Sequence, residues 1–272
     1  MVSTLAVNQL CWTEERALDN TKQKTVLIIG GAAGIGKEIA LDFVQAGHKV
    51  AIADINEAAM SQVVSEHKLE DKLFTFQVDV SSWESVQRMA EKVKEALGNI
   101  QILVYSAGIT KRIEFSELDW SLWKKTIAIN LHGLFYSIKA ISPYMIEQKM
   151  GSIIIIGSGS AITGSGGGVQ YSSSKGGAFG LMRSLVTELG RNNITINVIA
   201  PRVIESQMLD VLYPTEQSRE SLKKEIPIGR FGKPSDISSL VEYLSTDEAK
   251  YIHGQILVLD GGRTYKGKMK QG

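Results

Sequence analysis

Tyr171 and Lys175 are the two residues whose types and spacing point most directly to chemistry. They stand four positions apart in Tyr171-Ser172-Ser173-Ser174-Lys175, so a helix would place them on one face. A phenol normally titrates near ~10, and a fixed ammonium beside it favours the phenolate and lowers its pKa. The pair therefore predicts an acid/base that works near neutral pH. The same spacing also fits an ordinary pair on a helix surface.

A glycine-rich stretch between a predicted strand, Thr25–Ile29, and a predicted helix, Gly36–Ala46, points to a nucleotide. Glycines allow backbone to approach a pyrophosphate, and a helix N-terminus offers free N–H groups and partial positive charge. A tight turn without a ligand would use the same residues. The predicted pyrophosphate contacts are Gly30, Gly34, Ile35 and Gly36.

Asp54 follows the second predicted strand, Lys49–Ala53, where a carboxylate can accept hydrogen bonds from an adenosine ribose. A carboxylate at this position repels the 2′-phosphate of NADP. No Lys or Arg follows it directly, since the next residues are Ile55 and Asn56. The sequence therefore predicts NAD as the cofactor. A solvated residue at a strand end is the other interpretation of Asp54.

Strand-like and helix-like segments alternate along the chain, and such helices supply the crossovers that parallel strands need. This order predicts an α/β fold, a single-domain Rossmann-type doubly wound parallel sheet of about seven strands flanked by helices. The predicted strands are Thr25–Ile29, Lys49–Ala53, Phe74–Val78, Ile102–Tyr105, Ser152–Ile156, Thr195–Ile199 and Ile256–Leu259. The predicted helices are Gly36–Ala46, Glu57–His67, Ser82–Leu97, Trp120–Glu147, Tyr171–Arg191 and Ser235–Ser245.

The chain divides into one predicted domain, residues 24–265, and two terminal segments. Residues 1–23 form an extension, either flexible or an oligomer arm, and residues 266–272 form a tail. Within the domain, a Gly/Ser-rich loop at Gly157–Gly168 and a stretch at 203–228 follow strand ends, where ligand loops lie. The second stretch is predicted to be a substrate lid.

The composition of the chain limits the classes of partner that we expect. The 272 residues carry a net charge of +1, which favours neither nucleic acid nor a membrane surface as partner. We expect no membrane span and no signal peptide, because no apolar run approaches ~20 residues and the start is acidic and mixed. The single cysteine, Cys11, fits a reducing, cytoplasmic setting. The four histidines are scattered, so no metal site is expected.

Several of these features occur together in an order and spacing that resemble the short-chain dehydrogenase/reductase family, from about Lys24 to Gly262. Independent matches at fixed distances make a chance agreement implausible. The matching residues are the glycine turn, Asp54, Asp79, Ala107-Gly108, Asn130, Ser158, Tyr171, Lys175, Pro201 and Asp260-Gly261-Gly262.

The resemblance implies roles for four catalytic residues. Tyr171 would be the acid/base, and Lys175 would lower its pKa and hold the nicotinamide ribose. Ser158, thirteen residues before Tyr171, would hydrogen-bond the substrate oxygen and steady the developing alkoxide; Ser160 is the rival serine. Asn130 would bind a water in a proton relay to Lys175, or else it is a core amide that finds a partner inside a helix.

The resemblance also extends the set of cofactor contacts. Asp79 would reach the adenine amino group, unless it caps the next helix, and Val203 and Ser206 would lie beside the nicotinamide carboxamide. The further implied cofactor contacts are Val80, Ser106, Ala107, Gly108, Tyr171, Lys175 and Pro201. A homotetramer is the implied assembly.

The implied activity is reversible, NAD-dependent hydride transfer between the nicotinamide and a secondary alcohol or ketone, without a metal. The predicted substrate is a small hydroxy or keto compound, a polar or anionic polyol, sugar derivative or hydroxy acid. An NADPH-dependent 3-oxoacyl-type carbonyl reductase is the alternative, and a nucleotide-binding sensor or scaffold is a third. The retained Tyr171 and Lys175 speak against the third.

The chain departs from the family pattern at three places. Ile29 replaces a common threonine, Tyr105-Ser106 replaces Asn-Asn, and Arg202 replaces the glycine after Pro201. Arginine binds carboxylates and phosphates through a fork of N–H groups. We therefore hypothesise that Arg202 contacts an anionic substrate, together with two cations in the loop after Gly108, and solvent exposure of all three is the alternative. These two cations are Lys111 and Arg112.

Overall fold

The computed structural model describes residues 23–206, 209 and 213–265. Nearly all of the predicted N-terminal extension, including Cys11, lies outside the described residues. So does the predicted tail, residues 266–272, and so do residues 207, 208 and 210–212 of the predicted lid. The division into extension, domain and tail therefore stays a prediction.

Seven parallel strands form one sheet in the order β3-β2-β1-β4-β5-β6-β7, which confirms the predicted fold class. The central strands are continuous runs of β-branched and aliphatic residues, buried on both faces, as parallel sheets require. The order reverses between β1 and β4, and this switch opens a crevice at the carboxyl edge of the sheet. The strands are β1 Thr25–Ile29, β2 Lys49–Asp54, β3 Leu73–Gln77, β4 Ile102–Tyr105, β5 Gly151–Ile156, β6 Ile194–Pro201 and β7 Ile256–Leu259.

Helices cover both faces of the sheet, and each face has its own hydrophobic core. One core lies beneath α3, α5 and α7, and the other lies beneath α1, α2 and α9. The helices are α1 Gly34–Gln45, α2 Glu57–His67, α3 Trp83–Leu97, α4 Trp120–Ile127, α5 Gly133–Gln148, α6 Ser160–Thr163, α7 Gly168–Gly190, α8 Glu216–Lys223 and α9 Pro234–Leu244. A 3₁₀ turn at Phe115–Glu117 precedes α4.

The helix predicted from Trp120 to Glu147 is helical throughout but is not one α-helix. A π-helical segment, Ala128–His132, separates α4 from α5. A π turn holds one more residue than an α turn, so the side chains that follow it are rotated relative to those before it. Asn130 lies at the centre of this segment and is buried.

The predicted lid contains more regular structure than the sequence suggested. Helix α8 begins after Thr215, whose side chain accepts a hydrogen bond from Ser218 N, and this cap was the signal that sequence reasoning missed. A small separate cluster of buried apolar side chains holds the lid against the residues after it. Its members are Leu209, Leu222, Ile226 and Phe231.

Candidate active site

Tyr171 and Ser158 meet at the carboxyl edge of the sheet. Ser158 follows β5, and α7 begins three residues before Tyr171. Their hydroxyl groups are hydrogen-bonded to each other. Burial raises the pKa of Tyr171, and the bond to Ser158 offsets part of that increase. The structure thus joins the predicted acid/base to the predicted substrate-orienting serine.

Lys175 lies one helical turn after Tyr171 and is buried. Its Nζ donates to the carbonyl of Ile156, 2.8 Å away, and lies 5.8 Å from the centre of the Tyr171 ring. Burial lowers the pKa of Lys175 to about 8. Burial is the largest cause acting on the pKa of Tyr171 and raises it. The lowering of that pKa by Lys175, which the resemblance implies, stays a prediction.

Asn130 connects the π-helical segment to α7 and to the loop after β4. Its Oδ1 accepts from Ile109 N at 2.8 Å, and its Nδ2 donates to the Ile109 carbonyl at 2.9 Å. Nδ2 also donates to Ser174 Oγ at 3.0 Å. Because a Cβ on Gly108 would lie 3.4 Å from both Asn130 Oδ1 and Lys175 Nζ, the two polar groups face the same small space.

Ser160, the rival candidate for the substrate contact, is hydrogen-bonded to Ser158. Ser158 Oγ donates to Ser160 Oγ at 3.0 Å and accepts from Ser160 N at 3.2 Å. Both serines are buried. Since only Ser158 is bonded to Tyr171, the geometry favours Ser158 as the substrate contact and gives Ser160 the role of orienting it.

The glycine turn has the shape of a phosphate cradle. Gly30 has φ +83° and lies so close to Ala107 N that a Cβ would not fit. A Cβ on Gly36 would likewise collide with the carbonyl oxygen of Gly30. Helix α1 begins at Gly34, two residues earlier than predicted, and Ala33 provides no side-chain cap for its first N–H groups. The N–H groups of the first helical turn and the backbone of the glycines, which have no side chains, fit a pyrophosphate. Ile35 lies in this first turn.

Asp54 ends β2 beside this cradle. Its Oδ2 accepts from Ala32 N at 3.2 Å and its Oδ1 accepts from Asn56 N at 3.1 Å. The carboxylate is therefore held at the rim of the cradle by two backbone donors. Asp79 is exposed and accepts from Ser81, while α3 is capped by Ser82, so the structure does not support Asp79 as the helix cap.

The loops after β4 and β6 complete the crevice. Ser106 N donates to the Ile29 carbonyl at 2.8 Å, which places Ala107 and Gly108 against the glycine turn. After Pro201, Val203 adopts φ +54°, a left-handed conformation that costs a β-branched residue about 1–2 kcal/mol. Strain of this kind is typical of ligand-binding segments. The other predicted contacts in this region are Val80, which is buried, and Ser206, which is exposed.

Arg202 connects the loop after β6 to the loop after β5 and to the segment after β7. Its side chain lies across Gly159, and its two Nη atoms donate to Ser165 Oγ at 2.9 Å and Thr264 Oγ1 at 3.2 Å. Both partners are uncharged hydroxyl groups. Lys111 and Arg112 are exposed, and Arg112 lines a cavity of about 310 Å³ together with Gly164, the segment Gly166–Val169 and Ser172-Ser173. Among the described residues, no hydrogen bond or ion pair joins the side chain of Tyr171 to any of the three cations. These are Lys111, Arg112 and Arg202.

Two findings concern what the described residues lack. No group of three or more His, Cys, Asp or Glu side chains in the described part of the chain is arranged to hold a metal ion. Among the same residues, no helix combines the length and the apolar character that crossing a membrane would take.

Similarity to known proteins covers nearly the whole described chain. The sequence model of a family described as enoyl-(acyl carrier protein) reductase matches residues 30–264. A curated relative, the 3-oxoacyl-[acyl-carrier-protein] reductase FabG of Thermotoga maritima, is 36% identical over 240 residues, which cover 88% of this chain and 97% of the relative. The chain belongs to the short-chain dehydrogenase/reductase family.

A second curated relative and a solved structure are also similar to this short-chain dehydrogenase/reductase. The (2S)-[(R)-hydroxy(phenyl)methyl]succinyl-CoA dehydrogenase subunit BbsD of Thauera aromatica is 34% identical over 244 residues, covering 89% of this chain and 97% of the relative. Among solved structures, gox2181 superposes with a TM-score of 0.85 at 31% identity, covering 90% of this chain and 97% of that one. The structural match agrees with the α/β fold described above.

Sequence reasoning missed two polar residues of the site. Gln170, directly before Tyr171, is fully buried, and its Nε2 donates to the Lys111 carbonyl at 2.6 Å. This bond joins α7 to the loop after β4. Tyr105, noted only as a departure from the family pattern, donates from inside the core to the Ile129 carbonyl. A polar side chain at the end of a buried strand was the available signal for Tyr105.

We expect Ser158→Ala to lower kcat by about 10²- to 10³-fold, because it removes a donor aimed at the developing alkoxide. Ser160→Ala should lower kcat by about tenfold or less, because it loosens Ser158 without removing it. Steady-state kinetics of the two variants side by side measure both effects. A larger loss for Ser160→Ala would exchange the two roles.

Lys175 should give the cofactor-free protein a pH-dependent stability. Its folded-state pKa, about 8, lies below the ordinary 10.5, so the unfolded chain binds more protons between these values and the free energy of unfolding rises with pH. The contribution is on the order of 3 kcal/mol across that window. Urea unfolding of wild type and Lys175→Met from about pH 8 to 10.5 tests this. The variant should lose the slope, and exposed Lys139→Met should keep it; equal slopes in all three would contradict the account.

Proposed function

We propose that this short-chain dehydrogenase/reductase is an NAD(H)-dependent oxidoreductase that interconverts a 3-oxoacyl and a 3-hydroxyacyl thioester. The observation that carries the reaction type is the hydrogen-bonded Tyr171–Ser158 pair, with Lys175 and Asn130 behind it. When bound, the nicotinamide supplies or accepts the hydride.

Tyr171 moves the proton of the reaction. In the reducing direction its hydroxyl donates to the carbonyl oxygen of the substrate as that oxygen gains negative charge. Ser158, bonded to the same phenol, donates a second hydrogen bond and fixes the oxygen. The raised pKa of Tyr171 keeps the phenol protonated at neutral pH, the state that reduction needs. Oxidation runs the same proton in the opposite direction.

Asn130 and Lys175 return the proton to Tyr171. Their polar groups face one space beside Gly108, where a water molecule can bridge them. Lys175, with a pKa of about 8, exchanges a proton with such a water near neutral pH. Its ammonium would also hold the hydroxyl groups of the nicotinamide ribose, as the family resemblance implies. The cradle of Gly30, Gly34 and Gly36 would hold the pyrophosphate.

Asp54 supports NAD as the preferred cofactor. Its carboxylate is anchored by Ala32 N and Asn56 N at the end of β2, the place where the ribose 2′-hydroxyl is recognised in this fold. A phosphate there would face an anchored negative charge, and the neighbouring Ile55 and Asn56 offer no cation.

The relatives support the substrate class. One is named for a 3-oxoacyl group on a carrier protein, and another is named for a hydroxy(phenyl)methyl-succinyl-CoA. Both names describe an oxygen function on an acyl thioester. They favour the carbonyl reductase that was the alternative in the sequence analysis over the polyol, sugar derivative or hydroxy acid that was its main expectation.

A second candidate keeps that main expectation, a polar or anionic hydroxy substrate. Arg202 favours it, because its guanidinium is bonded to two hydroxyls and lies across Gly159, next to Ser158. A carboxylate could take the place of either hydroxyl.

A substrate panel separates the two candidates. Acetoacetyl-CoA and its N-acetylcysteamine analogue would be reduced with NADH and with NADPH, and sugar alcohols and short hydroxy acids would be oxidised with NAD. Turnover of the thioesters with NADH as the better cofactor supports the proposal. Turnover of polyols or hydroxy acids, without turnover of thioesters, would replace it with the second candidate.

We also propose a homotetramer in a reducing, cytoplasmic setting, as the family resemblance implies. Two aromatic side chains near the start of α4 support a self-association surface. Phe115 is 79% exposed and Trp120 is 74% exposed, and exposed aromatics on neighbouring turns are typical of protein–protein contacts.

A further inference from the structure

Tyr105 is a buried phenol at the end of β4, on the side of the sheet that faces α5. It is 1% exposed, and its Oη donates to the carbonyl of Ile129 at 2.6 Å. A Cβ on Gly133 would lie 2.5 Å from this Oη, so the glycine provides the room for the hydroxyl group. The bond therefore connects the sheet to the helix layer at one defined place.

That place is the π-helical segment. A π turn interrupts the regular bonding of N–H groups to the fourth carbonyl before them, and buried carbonyls in such a turn need other donors. Ile129 lies within Ala128–His132, and Tyr105 supplies a donor to it from outside the helix. Burial raises the pKa of Tyr105, so the phenol stays protonated and keeps donating throughout the neutral range.

The next residue along the chain, Asn130, carries the effect into the site. Its amide group bonds Ile109 in both directions and also bonds Ser174 Oγ. Ser174 Oγ in turn donates to the Tyr171 carbonyl at 2.8 Å. A change in the π-helical segment would therefore move an amide on which both the loop after β4 and the first turns of α7 depend.

We propose that Tyr105 is a positioning residue: its hydroxyl fixes the π-helical segment and thereby holds the Asn130 amide between Ile109 and Ser174. Tyr105 contacts neither substrate nor cofactor. Its effect on catalysis rests on the proposed function, through the part of Asn130 in returning the proton to Tyr171.

Tyr105→Phe tests this, because it removes the hydroxyl and keeps the ring in the core. Ser137→Ala is the matched control: Ser137 is fully buried in α5, and its Oγ donates to the Gly133 carbonyl at 2.6 Å. Both variants remove a buried hydroxyl from a backbone carbonyl. We expect kcat to fall about tenfold in Tyr105→Phe alone, with KM nearly unchanged and the pH profile of kcat displaced. Equal kinetics in the two variants would overturn the proposal.

Native-state hydrogen exchange gives a readout that does not depend on activity. The Ile109 N–H bonds Asn130 Oδ1, so it should exchange about tenfold faster or more in Tyr105→Phe and at the wild-type rate in Ser137→Ala. Unchanged exchange at Ile109 would contradict the proposal. A wild-type protein without oxidoreductase activity would refute the proposed function, while the exchange result would still decide whether Tyr105 positions Asn130.

Three additional variants complete the test: Gly133→Ala, Asn130→Ala, and Asn130→Ala combined with Tyr105→Phe. Should Tyr105→Phe not fold, Gly133→Ala displaces the same hydroxyl from the helix side and should accelerate Ile109 exchange in the same way. In an Asn130→Ala background, Tyr105→Phe should cause almost no further loss of kcat, because its effect passes through the missing amide. Full additivity of the two losses would overturn the proposal.

Discussion

Replacing Tyr171 with Phe should lower kcat/KM by about 10²- to 10⁴-fold, the usual contribution of a positioned acid/base. The ring and its packing remain, and only the hydroxyl bonded to Ser158 is lost. Cofactor affinity should change much less, because Tyr171 is one of many predicted cofactor contacts and the cradle and Asp54 lie on other loops. Steady-state kinetics with the best substrate of the panel and titration of nicotinamide fluorescence measure the two quantities.

Tyr144→Phe is the matched control for this variant. Tyr144 is a partly exposed phenol on α5, whose ring lies 4.3 Å from Lys94 Nζ. Its substitution should leave kcat/KM at the wild-type level. A Tyr171→Phe enzyme that is as active as Tyr144→Phe would remove Tyr171 from the chemistry.

Replacing Asp54 with Asn should narrow the preference for NADH over NADPH by about 10-fold or more. An anchored carboxylate ~4 Å from a phosphate charge costs roughly 1–4 kcal/mol at the effective dielectric of a protein surface. The asparagine keeps an oxygen that can accept from Ala32 N or Asn56 N, so the turn should hold its shape. Dissociation constants of both reduced cofactors, measured by nicotinamide fluorescence, give the ratio.

Asp79→Asn controls for the loss of a carboxylate in the same region. Asp79 is exposed after β3, and its Oδ1 accepts from Ser81, away from the strand end that meets the ribose. It should affect both cofactors equally and leave their ratio unchanged. Tighter binding of NADPH than of NADH by the wild-type protein would refute the assignment of Asp54 and favour an NADPH-dependent reductase.

The sequence predicted the sheet well because its central strands are short, β-branched and apolar throughout. Segments such as β5, which is buried along its whole length, are hard to place anywhere except inside a parallel sheet. The glycine turn was equally readable, since Gly30 and Gly36 lie where no Cβ fits. Strand and helix bounds shifted by a few residues, as they did at the start of α7.

The π-helical segment could not be predicted from the sequence, because one extra residue in a long helix hardly disturbs the spacing of its apolar residues. Asn130 was recognised as a polar group in an apolar helix, but its bonds to Ile109 and Ser174 depend on that local turn. The hydroxyl partners of Arg202 were equally hidden. Ser165 and Thr264 are far from it along the chain and meet it only in the folded protein.

The pKa of Tyr171 shows a further limit of sequence reasoning. Charge alone predicted a lowered pKa, because Lys175 stands one turn away. Burial acts in the opposite direction on both groups, raising the pKa of the phenol and lowering that of the ammonium. Which effect dominates depends on desolvation, which only the packed structure shows.

Transfer of deuterium from NADH that carries two deuterium atoms at C4 of the nicotinamide is the most direct test of the central claim. Wild-type protein would be incubated with acetoacetyl-CoA and the labelled cofactor, and the product analysed by mass spectrometry. The account predicts one deuterium at the new carbinol carbon, with transfer slowed by about 10²- to 10⁴-fold in Tyr171→Phe. A product without deuterium, or equal transfer rates in both proteins, would contradict it.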